Sequence, residues 1–264
     1  MDLGIGGKRA LLLAASGGLG FASALALARE NVQVCVSGSN SDRAAGAARR
    51  IADDTGTTAV GLASDLSDPS NMNALLEATI SALDGAPDIL VLNHGGPPLR
   101  KALEVTGDEL ASHANMMMFS LIRMVQLVVP AMRERGWGRV VLVGAPAIGE
   151  PIPNNVLSNL YRSGMANYCK TLSGEVIADG VTVNIVSPSA VRTDRTLSTA
   201  EQRGALKGIS GEEELTARES ATLARRFGTP DEFGAMVAFI ASDRASYTNG
   251  ANIRVDGGSA KGFG

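Results

Sequence analysis

AASGGLG, residues 14–20, follows the apolar run RALLLAA (9–15) and precedes the helical pattern FASALALARE (21–30). Glycines at a turn between a strand and a helix let the backbone approach a pyrophosphate, and the N–H groups at the helix start bind the anion. Gly18 and Gly20 fit these roles. Glycine turns also occur where no ligand binds, so the stretch by itself predicts a strand–turn–helix unit and leaves a nucleotide site as one of two alternatives.

Further apolar runs, separated by helical patterns, continue this first unit along the chain. They cover residues 32–38, 58–64, 88–96, 138–145, 181–188 and 251–258. Strands that alternate with helices pair in parallel, and runs that are apolar on both faces belong to a sheet covered on both sides. We therefore predict an α/β fold, a single-domain Rossmann-type doubly wound parallel sheet of about seven strands with helices on both faces.

The chain length of 264 residues suits one large domain better than two. We predict that residues 1–264 form a single dinucleotide-binding and catalytic domain. The segment 194–226 is polar and poorly patterned. Since loops and lids carry specificity in such folds, we expect this segment to form a mobile lid on the substrate side.

The composition excludes several kinds of partner. The formal net charge is −3 and the Arg and Lys residues are scattered, so we expect no nucleic-acid partner. No stretch approaches the ~20 apolar residues of a spanning helix, and the N-terminus lacks the layout of a signal peptide. Cys35 and Cys169 have neither disulfide nor metal-ligand spacing. We expect a cytoplasmic protein without a metal or a membrane partner, acting on a small-molecule substrate.

Three internal motifs follow the glycine turn, each after an apolar run. They are Asp65-Leu66, Asn93-His94-Gly95-Gly96 and Asn184-Ile185-Val186-Ser187-Pro188-Ser189. Together with Leu13-Ala14-x-x-x-Gly18-Leu19-Gly20 and the C-terminal pattern at 225–258, they resemble the short-chain dehydrogenase/reductase superfamily along essentially the whole chain. The likeness is to its 3-oxoacyl-carrier-protein reductases in particular. Ala14 and Ser189 stand where that family has glycine.

The resemblance implies a nicotinamide dinucleotide, with Asp65 near the adenine and Thr193 near the nicotinamide. An NAD site has an acidic residue at the end of the second strand. Here Ser39 and Asn40 stand there, with Arg43 one turn on. NADP(H) is therefore favoured over NAD(H), the alternative being that Ser39 and Asn40 are only turn residues. The predicted cofactor-binding residues are Ala14, Ser16, Gly17, Gly18, Leu19, Gly20, Ser39, Asn40, Asp65, Leu66, Asn93, His94, Gly95, Arg162, Pro188 and Thr193.

The resemblance also implies a catalytic Asn, Ser, Tyr and Lys, in which the Tyr is the acid/base and the Lys lowers its pKa from one helical turn away. In this chain Asn115 keeps the first position, whereas Ala145, Ser158 and Arg162 occupy the other three. An aliphatic hydroxyl is a far poorer proton source than a phenol. Tyr161, three residues after Ser158, is either a displaced phenol that reaches the cleft or a packing residue. The candidate catalytic residues are Asn115, Ser158, Tyr161 and Arg162.

The sequence therefore predicts an NADP(H)-dependent carbonyl or 3-oxoacyl-type reductase with an atypical active site. Two alternatives stay open: a non-redox enzyme on the same scaffold, such as a lyase, isomerase or dehalogenase, and a protein that binds the dinucleotide without turnover. The charge of the substrate is also open, because no cationic clamp is identifiable near the cleft. The resemblance implies a homo-oligomer, a dimer or tetramer, with the long helices at 106–135 and 155–179 in its interface.

Overall fold

A parallel sheet of seven strands forms the centre of the computed structural model, which describes residues 1–260. Its strands are β1 (Arg9–Leu12), β2 (Gln33–Gly38), β3 (Ala59–Ala63), β4 (Ile89–Leu92), β5 (Gly138–Val143), β6 (Val181–Pro188) and β7 (Asn252–Val255). The predicted fold class is confirmed. Residues 261–264 of the predicted domain lie outside the described residues.

The strand order is β3-β2-β1-β4-β5-β6-β7, so β1 lies beside both β2 and β4. Leu12 of β1 is opposite Val36 of β2 and Val91 of β4. β2 and β3 extend the sheet on one side of β1, and β4 to β7 extend it on the other side. The loops after β1 and β4 consequently leave a crevice at the carboxyl ends of the strands, which is where ligands of open α/β sheets bind.

Helices cover both faces of the sheet. Among the described residues they are α1 (Gly18–Arg29), α2 (Ser41–Thr55), α3 (Asn71–Leu83), α4 (Gly107–Ala114), α5 (Ser120–Glu134), α6 (Val156–Val176), α7 (Asp194–Lys207), α8 (Gly211–Ala221) and α9 (Pro230–Ile240). A π-helical segment, Asn115–Phe119, joins α4 and α5 into one long helix. Such π-bulges are rare in helices and frequent near functional sites.

Two apolar layers flank the sheet. On one side Leu12 belongs to a cluster with Leu27 of α1 and Phe233 of α9. On the other side Leu11 belongs to a cluster with Met124 of α5. Neighbouring residues of one strand thus pack in opposite apolar layers, because successive side chains of a strand point to opposite faces of the sheet. This burial on both faces explains why the strands appear in the sequence as unbroken apolar runs.

The long helix Gly107–Glu134 corrects one expectation. An 18-residue window within it has a mean hydropathy of 1.4, so the helix is long and apolar enough to cross a membrane by length and composition alone, whereas no such stretch is expected from the sequence. Its inner face, with Leu121, Met124 and Val128, is buried in the core beside the sheet. Core helices of globular proteins pass the same test, and this packing accounts for the apolar composition of the helix.

The segment 194–226 has more regular structure than its sequence pattern indicates, because it contains helices α7 and α8. Thr193 caps α7 by accepting from the N–H of Thr196, and Ser210 forms a capping box with Glu213 at the start of α8. Few residues of either helix are buried. Without an apolar stripe, hydrophobic periodicity gives no signal for them. The two helices form the segment called the lid hairpin below.

Candidate functional site

The main cleft, of about 500 Å³, lies at the carboxyl ends of the central strands. The turns after β1, β4, β5 and β6 line it, together with α6 and the lid hairpin. Most of the predicted cofactor-binding residues are found here: Ala14, Ser16, Gly17, Gly18, Leu19, Asn93, His94, Gly95, Arg162, Pro188 and Thr193. The crevice of the fold and the residues predicted from the motifs therefore coincide.

The glycine turn leaves the start of α1 without a side-chain cap. Gly17, the N-cap residue, has no side chain to offer, whereas Asn40, Thr193 and Ser210 cap α2, α7 and α8 with side-chain oxygens. The first N–H groups of a helix have no intrahelical partner. At α1 they line the cleft together with the positive end of the helix dipole, so this turn is suited to bind an anion.

Gly20 and Ala14 hold the turn in its shape. A Cβ on Gly20 would lie 2.7 Å from Cα of Ala15 and 2.9 Å from the carbonyl oxygen of Ala14, so only glycine fits. Ala14 has a φ of 46°, in the left-handed region where a non-glycine residue costs about 1 kcal/mol or more. The amide of Asn93 donates to the Ala14 carbonyl at 3.0 Å and ties this turn to the turn after β4.

A second cavity, of about 420 Å³, lies beside the ends of β2 and β3. Ser39 and Asp65 line it, as the sequence predicts for the adenosine end, and so does Leu75 of α3. The hydroxyl of Ser64, another lining residue, is buried and has no hydrogen-bond partner among the described residues. A buried hydroxyl without a partner in the wall of a cavity is a group that a polar ligand would satisfy.

Three of the predicted cofactor residues line neither cavity. Gly20 is buried inside its turn. Asn40 is the N-cap of α2, and its side-chain oxygen accepts from the N–H of Arg43 at 2.8 Å. Leu66 is buried in the core, and its carbonyl accepts from the hydroxyl of Ser120. In the structure these three residues support the site and do not line it.

Arg43 reaches from α2 to the glycine turn. It lines the main cleft and also a groove along α1, and its Nη2 lies 3.9 Å from the place that a Cβ on Gly17 would take. Ser39 and Asn40, directly after β2, carry no carboxylate, and Asp42, which precedes Arg43 in the first turn of α2, forms no ion pair with it. A cation that forms no ion pair with a described carboxylate is suited to bind a phosphate.

Arg162 and Ser158 of α6 line the main cleft opposite the glycine turn. The Arg162 Nη1 donates to the carbonyls of Val143 (3.0 Å) and Gly144 (2.8 Å) at the end of β5. Its Nε and Nη2 have no hydrogen-bond partner among the described residues. Burial and the nearby Arg195 lower the Arg162 pKa to about 10, so the guanidinium remains charged at neutral pH.

His94 is a neutral residue of the cleft. Burial is the main cause that lowers its pKa to about 3, and the charge of Arg162 acts in the same direction. Its Nδ1 lies 2.6 Å from the carbonyl of Gly95, which can only accept, so Nδ1 carries the proton. A histidine with this pKa cannot serve as an acid or base near neutrality.

Two of the candidate catalytic residues lie outside the cleft as the structure describes it. The Tyr161 side chain is buried with Leu157 and Met117, and its hydroxyl donates to the carbonyl of Leu110 at 2.8 Å. Burial raises the pKa of this phenol. The displaced-phenol alternative is therefore contradicted, and Tyr161 is a packing residue.

Asn115 opens the π-helical segment, where its carbonyl accepts from the N–H of Ser120.

Sequence reasoning missed the arginines of the lid hairpin. The arginines that line the main cleft are Arg43, Arg162, Arg195, Arg203 and Arg218, against one carboxylate, Asp194. The cleft thus has a cationic surface, although no cationic clamp is identifiable near it from the sequence. The sequence feature that could have predicted this surface lies in α7, where Arg195, Thr199 and Arg203 recur every four residues and so share one helix face.

Comparison with known proteins gives consistent matches over the whole chain. A family model for enoyl-(acyl carrier protein) reductases matches residues 13–260. The chain is 30% identical over 264 residues to 3-oxoacyl-(acyl-carrier-protein) reductase FabG of Salmonella typhimurium, covering 96% of this chain and 97% of the relative. It is 30% identical to D-threitol dehydrogenase of Mycolicibacterium smegmatis, covering 97% and 94%. The structure of L-sorbose reductase from Gluconobacter frateurii, complexed with NADPH and L-sorbose, superposes with a TM-score of 0.93 at 28% identity and full coverage of both chains.

Proposed function

The chain belongs to the short-chain dehydrogenase/reductase superfamily, and we propose that it is an NADP(H)-dependent carbonyl reductase of the 3-oxoacyl type with an atypical active site. The observation that carries this proposal is that one cleft contains both the glycine turn and the Ser158–Arg162 pair. The relatives and structural neighbours that it resembles are oxidoreductases of the same superfamily.

The residues present fit a nicotinamide dinucleotide. The uncapped start of α1 suits the pyrophosphate, and the cavity with the unpartnered Ser64 hydroxyl suits the adenosine end. When bound, the cofactor would supply the hydride for carbonyl reduction. The likeness to L-sorbose reductase, whose structure is a complex with NADPH, supports this choice of cofactor.

Ser158 and Arg162 are the groups of this chain that we assign to the carbonyl oxygen of the substrate. Arg162 is anchored by two backbone carbonyls, so it stabilises a developing negative charge without having to reorganise. The hydroxyl of Ser158 donates a hydrogen bond to the same oxygen. Neither group is a proton reservoir near neutral pH. We therefore assign the proton that completes the reduction to water in the cleft.

The proposal is tested by titrating the protein with NADPH and then following NADPH consumption with a panel of carbonyl compounds. We expect binding, and consumption with at least one compound. Tight binding without consumption by any compound would instead support a protein that holds the dinucleotide without turnover. Absence of NADPH binding, with a small molecule found in the main cleft, would support the non-redox alternative.

Arg43→Ala is expected to weaken NADPH binding by about 10- to 100-fold and to leave NADH binding nearly unchanged, because only NADPH has a 2′-phosphate for this cation. Equilibrium titration with each nucleotide measures the effect. Arg49→Ala, on the same helix but outside both cavities, is the matched control. If both nucleotides lost affinity equally in Arg43→Ala, the preference for NADP(H) would be wrong.

The rate of reduction is expected to change by no more than about twofold between about pH 6 and 9. His94, with its pKa near 3, is already neutral at the lower limit, and Arg162, with its pKa near 10, is still charged at the upper limit. Neither residue therefore changes charge within this range. The pH profile of kcat/KM measures this, and a sharp fall with rising pH would reveal an acid that these residues do not supply.

We propose that the protein is a cytoplasmic homo-oligomer, a dimer or tetramer. Phe119, in the π-helical segment, is 50% exposed and Leu160 of α6 is 52% exposed, so both long helices carry apolar surface outside the core. Sedimentation velocity is expected to give a dimer or tetramer, which Phe119→Glu dissociates. Tyr247→Glu, at a fully exposed aromatic residue of another surface, is the control. A monomer at micromolar concentration would contradict the proposal.

A further inference from the structure

The lid hairpin turns a polar face toward the main cleft. Arg195, Thr199 and Arg203 of α7 and Arg218 of α8 line the cleft. Arg195, Thr199 and Arg203, three of the lining residues of α7, are spaced by four and thus follow one side of the helix. Arg203 lies nine residues beyond Asp194, which lines the groove near Gly17 and Gly18. At the rise of an α-helix this separation is about 13 Å, so Arg203 is well removed from the glycine turn.

The positive charge of this face is not balanced within the described protein. Burial is the main cause that lowers the Arg218 pKa, and the neighbouring Arg203 lowers it further, while Glu214 acts in the opposite direction. Glu214, however, is paired with Lys207 at 2.7 Å. The guanidinium groups of Arg203 and Arg218 therefore repel each other, and neither forms an ion pair with a described carboxylate, so Glu214 compensates this repulsion only in part.

Each of these two arginines also has a buried N–H group without a hydrogen-bond partner among the described residues, although the Arg218 guanidinium lies 5.9 Å from the centre of the Phe227 ring. The two N–H groups are Nε of Arg203 and Nη1 of Arg218. Buried polar groups of native proteins nearly always have partners, so an unpartnered pair beside a cleft calls for a ligand. The chemistry that satisfies both guanidinium groups at once is an oxyanion, which accepts several charge-assisted hydrogen bonds.

We infer that the substrate is a carbonyl compound with an oxyanion group, a carboxylate or a phosphate, which Arg203 and Arg218 bind beneath the lid hairpin. This inference rests on the proposed function, because it names the substrate class of the same site. Thr199, on the same face of α7, adds a hydroxyl to this subsite. The glycine turn serves the cofactor pyrophosphate and Arg43 the 2′-phosphate, both away from Arg203 and Arg218, so the lid arginines are left for the substrate.

Calorimetric titration with small probes tests the inference. The probes are acetoacetate, 2-oxopropylphosphonate and the neutral acetoacetamide, each added to the protein with NADP⁺ present. We expect at least one anionic probe to bind about 10-fold or more tightly than acetoacetamide. Whether the carboxylate or the phosphonate binds more tightly identifies the source of the oxyanion. Arg203→Gln and Arg218→Gln are each expected to weaken anion binding about 10-fold and to leave NADPH binding unchanged.

Arg123→Gln, at a partly exposed arginine of α5 that contacts Asn73, is the matched control and should bind the anions as the native protein does. Thermal unfolding without ligand should show that Arg203→Gln is no less stable than the native protein, since the substitution removes an unpartnered N–H. Equal binding of all three probes, unchanged anion binding in both variants, or a parallel loss of NADPH affinity would overturn the inference. If NADPH does not bind at all, the proposed function fails, and the same titrations without nucleotide still decide the inference.

Discussion

Arg162→Met is expected to lower kcat/KM for carbonyl reduction by about 10²- to 10³-fold, the loss typical of removing one preorganised donor from a site of developing negative charge. The guanidinium is held by the carbonyls of Val143 and Gly144, and its Nε and Nη2 have no hydrogen-bond partner within residues 1–260. Methionine keeps much of the length of the side chain and removes the charge. In the proposed mechanism no other group of α6 supplies a positive charge to the carbonyl oxygen.

Three measurements separate this effect from loss of the fold. Thermal unfolding establishes that the variant is folded, NADPH titration reports cofactor binding, and kcat/KM reports the reaction. Arg133→Met, at a surface arginine that pairs with Asp179, is the matched control. Arg162→Lys should recover part of the rate because it restores the charge but not the planar fork. An unchanged kcat/KM in Arg162→Met would remove Arg162 from the mechanism.

The sheet was predictable from the sequence because its strands are buried on both faces. The run VTVNIVSP was predicted as a strand at 181–188, and the structure has Val181–Pro188. The long helix predicted at 106–135 spans Gly107–Glu134. In both cases apolar periodicity and flanking glycines mark the element, and local and tertiary preferences agree.

The positions of single side chains on α6 were less predictable. Ser158 and Arg162 are four residues apart and both line the cleft, whereas Tyr161 is turned about 60° to the other side of Ser158 on the helix. Tyr161 shares its face with Leu157, and both pack beside α4 and the π-helical segment. The spacing of residues along one helix does not determine which face of that helix lines the cleft. That face is determined by how the other helices pack against it.

The lid arginines were missed for a related reason. Arg203 and Arg218 are fifteen positions apart in a stretch without an apolar stripe, and they meet only because α7 and α8 fold back on each other. The turn between the helices depends on Gly204, where a Cβ would lie 2.8 Å from the carbonyl oxygens of Ile209 and Ser210. Such a close approach is a tertiary feature that composition and periodicity do not reveal.

Restoring the family's catalytic residues is expected to raise kcat by about 10²-fold or more, within the range that a positioned general acid contributes. The variant combines Ala145→Ser, Ser158→Tyr and Arg162→Lys. Ala145, Ser158 and Arg162 all line the cleft, and Ser158 Oγ makes no hydrogen bond with any described residue. A phenol at 158 would therefore project into a cleft of about 500 Å³ without breaking an existing bond. The ammonium one turn later would lower the phenol pKa, because an opposite charge nearby favours the ionised form.

The decisive control is Ser158→Phe in the same Ala145→Ser, Arg162→Lys background, which has the same ring without the hydroxyl. The tyrosine variant should exceed the phenylalanine variant in kcat, while both bind NADPH alike. The rate of reduction by the tyrosine variant should also fall as rising pH removes the phenolic proton. The native protein, whose rate is expected to be nearly constant with pH, should show no such fall. Equal, negligible rates in the two variants, with NADPH binding intact, would mean that the carbonyl group is not held within reach of position 158. The departure from the family would then extend beyond these three side chains to the substrate subsite formed by the lid hairpin.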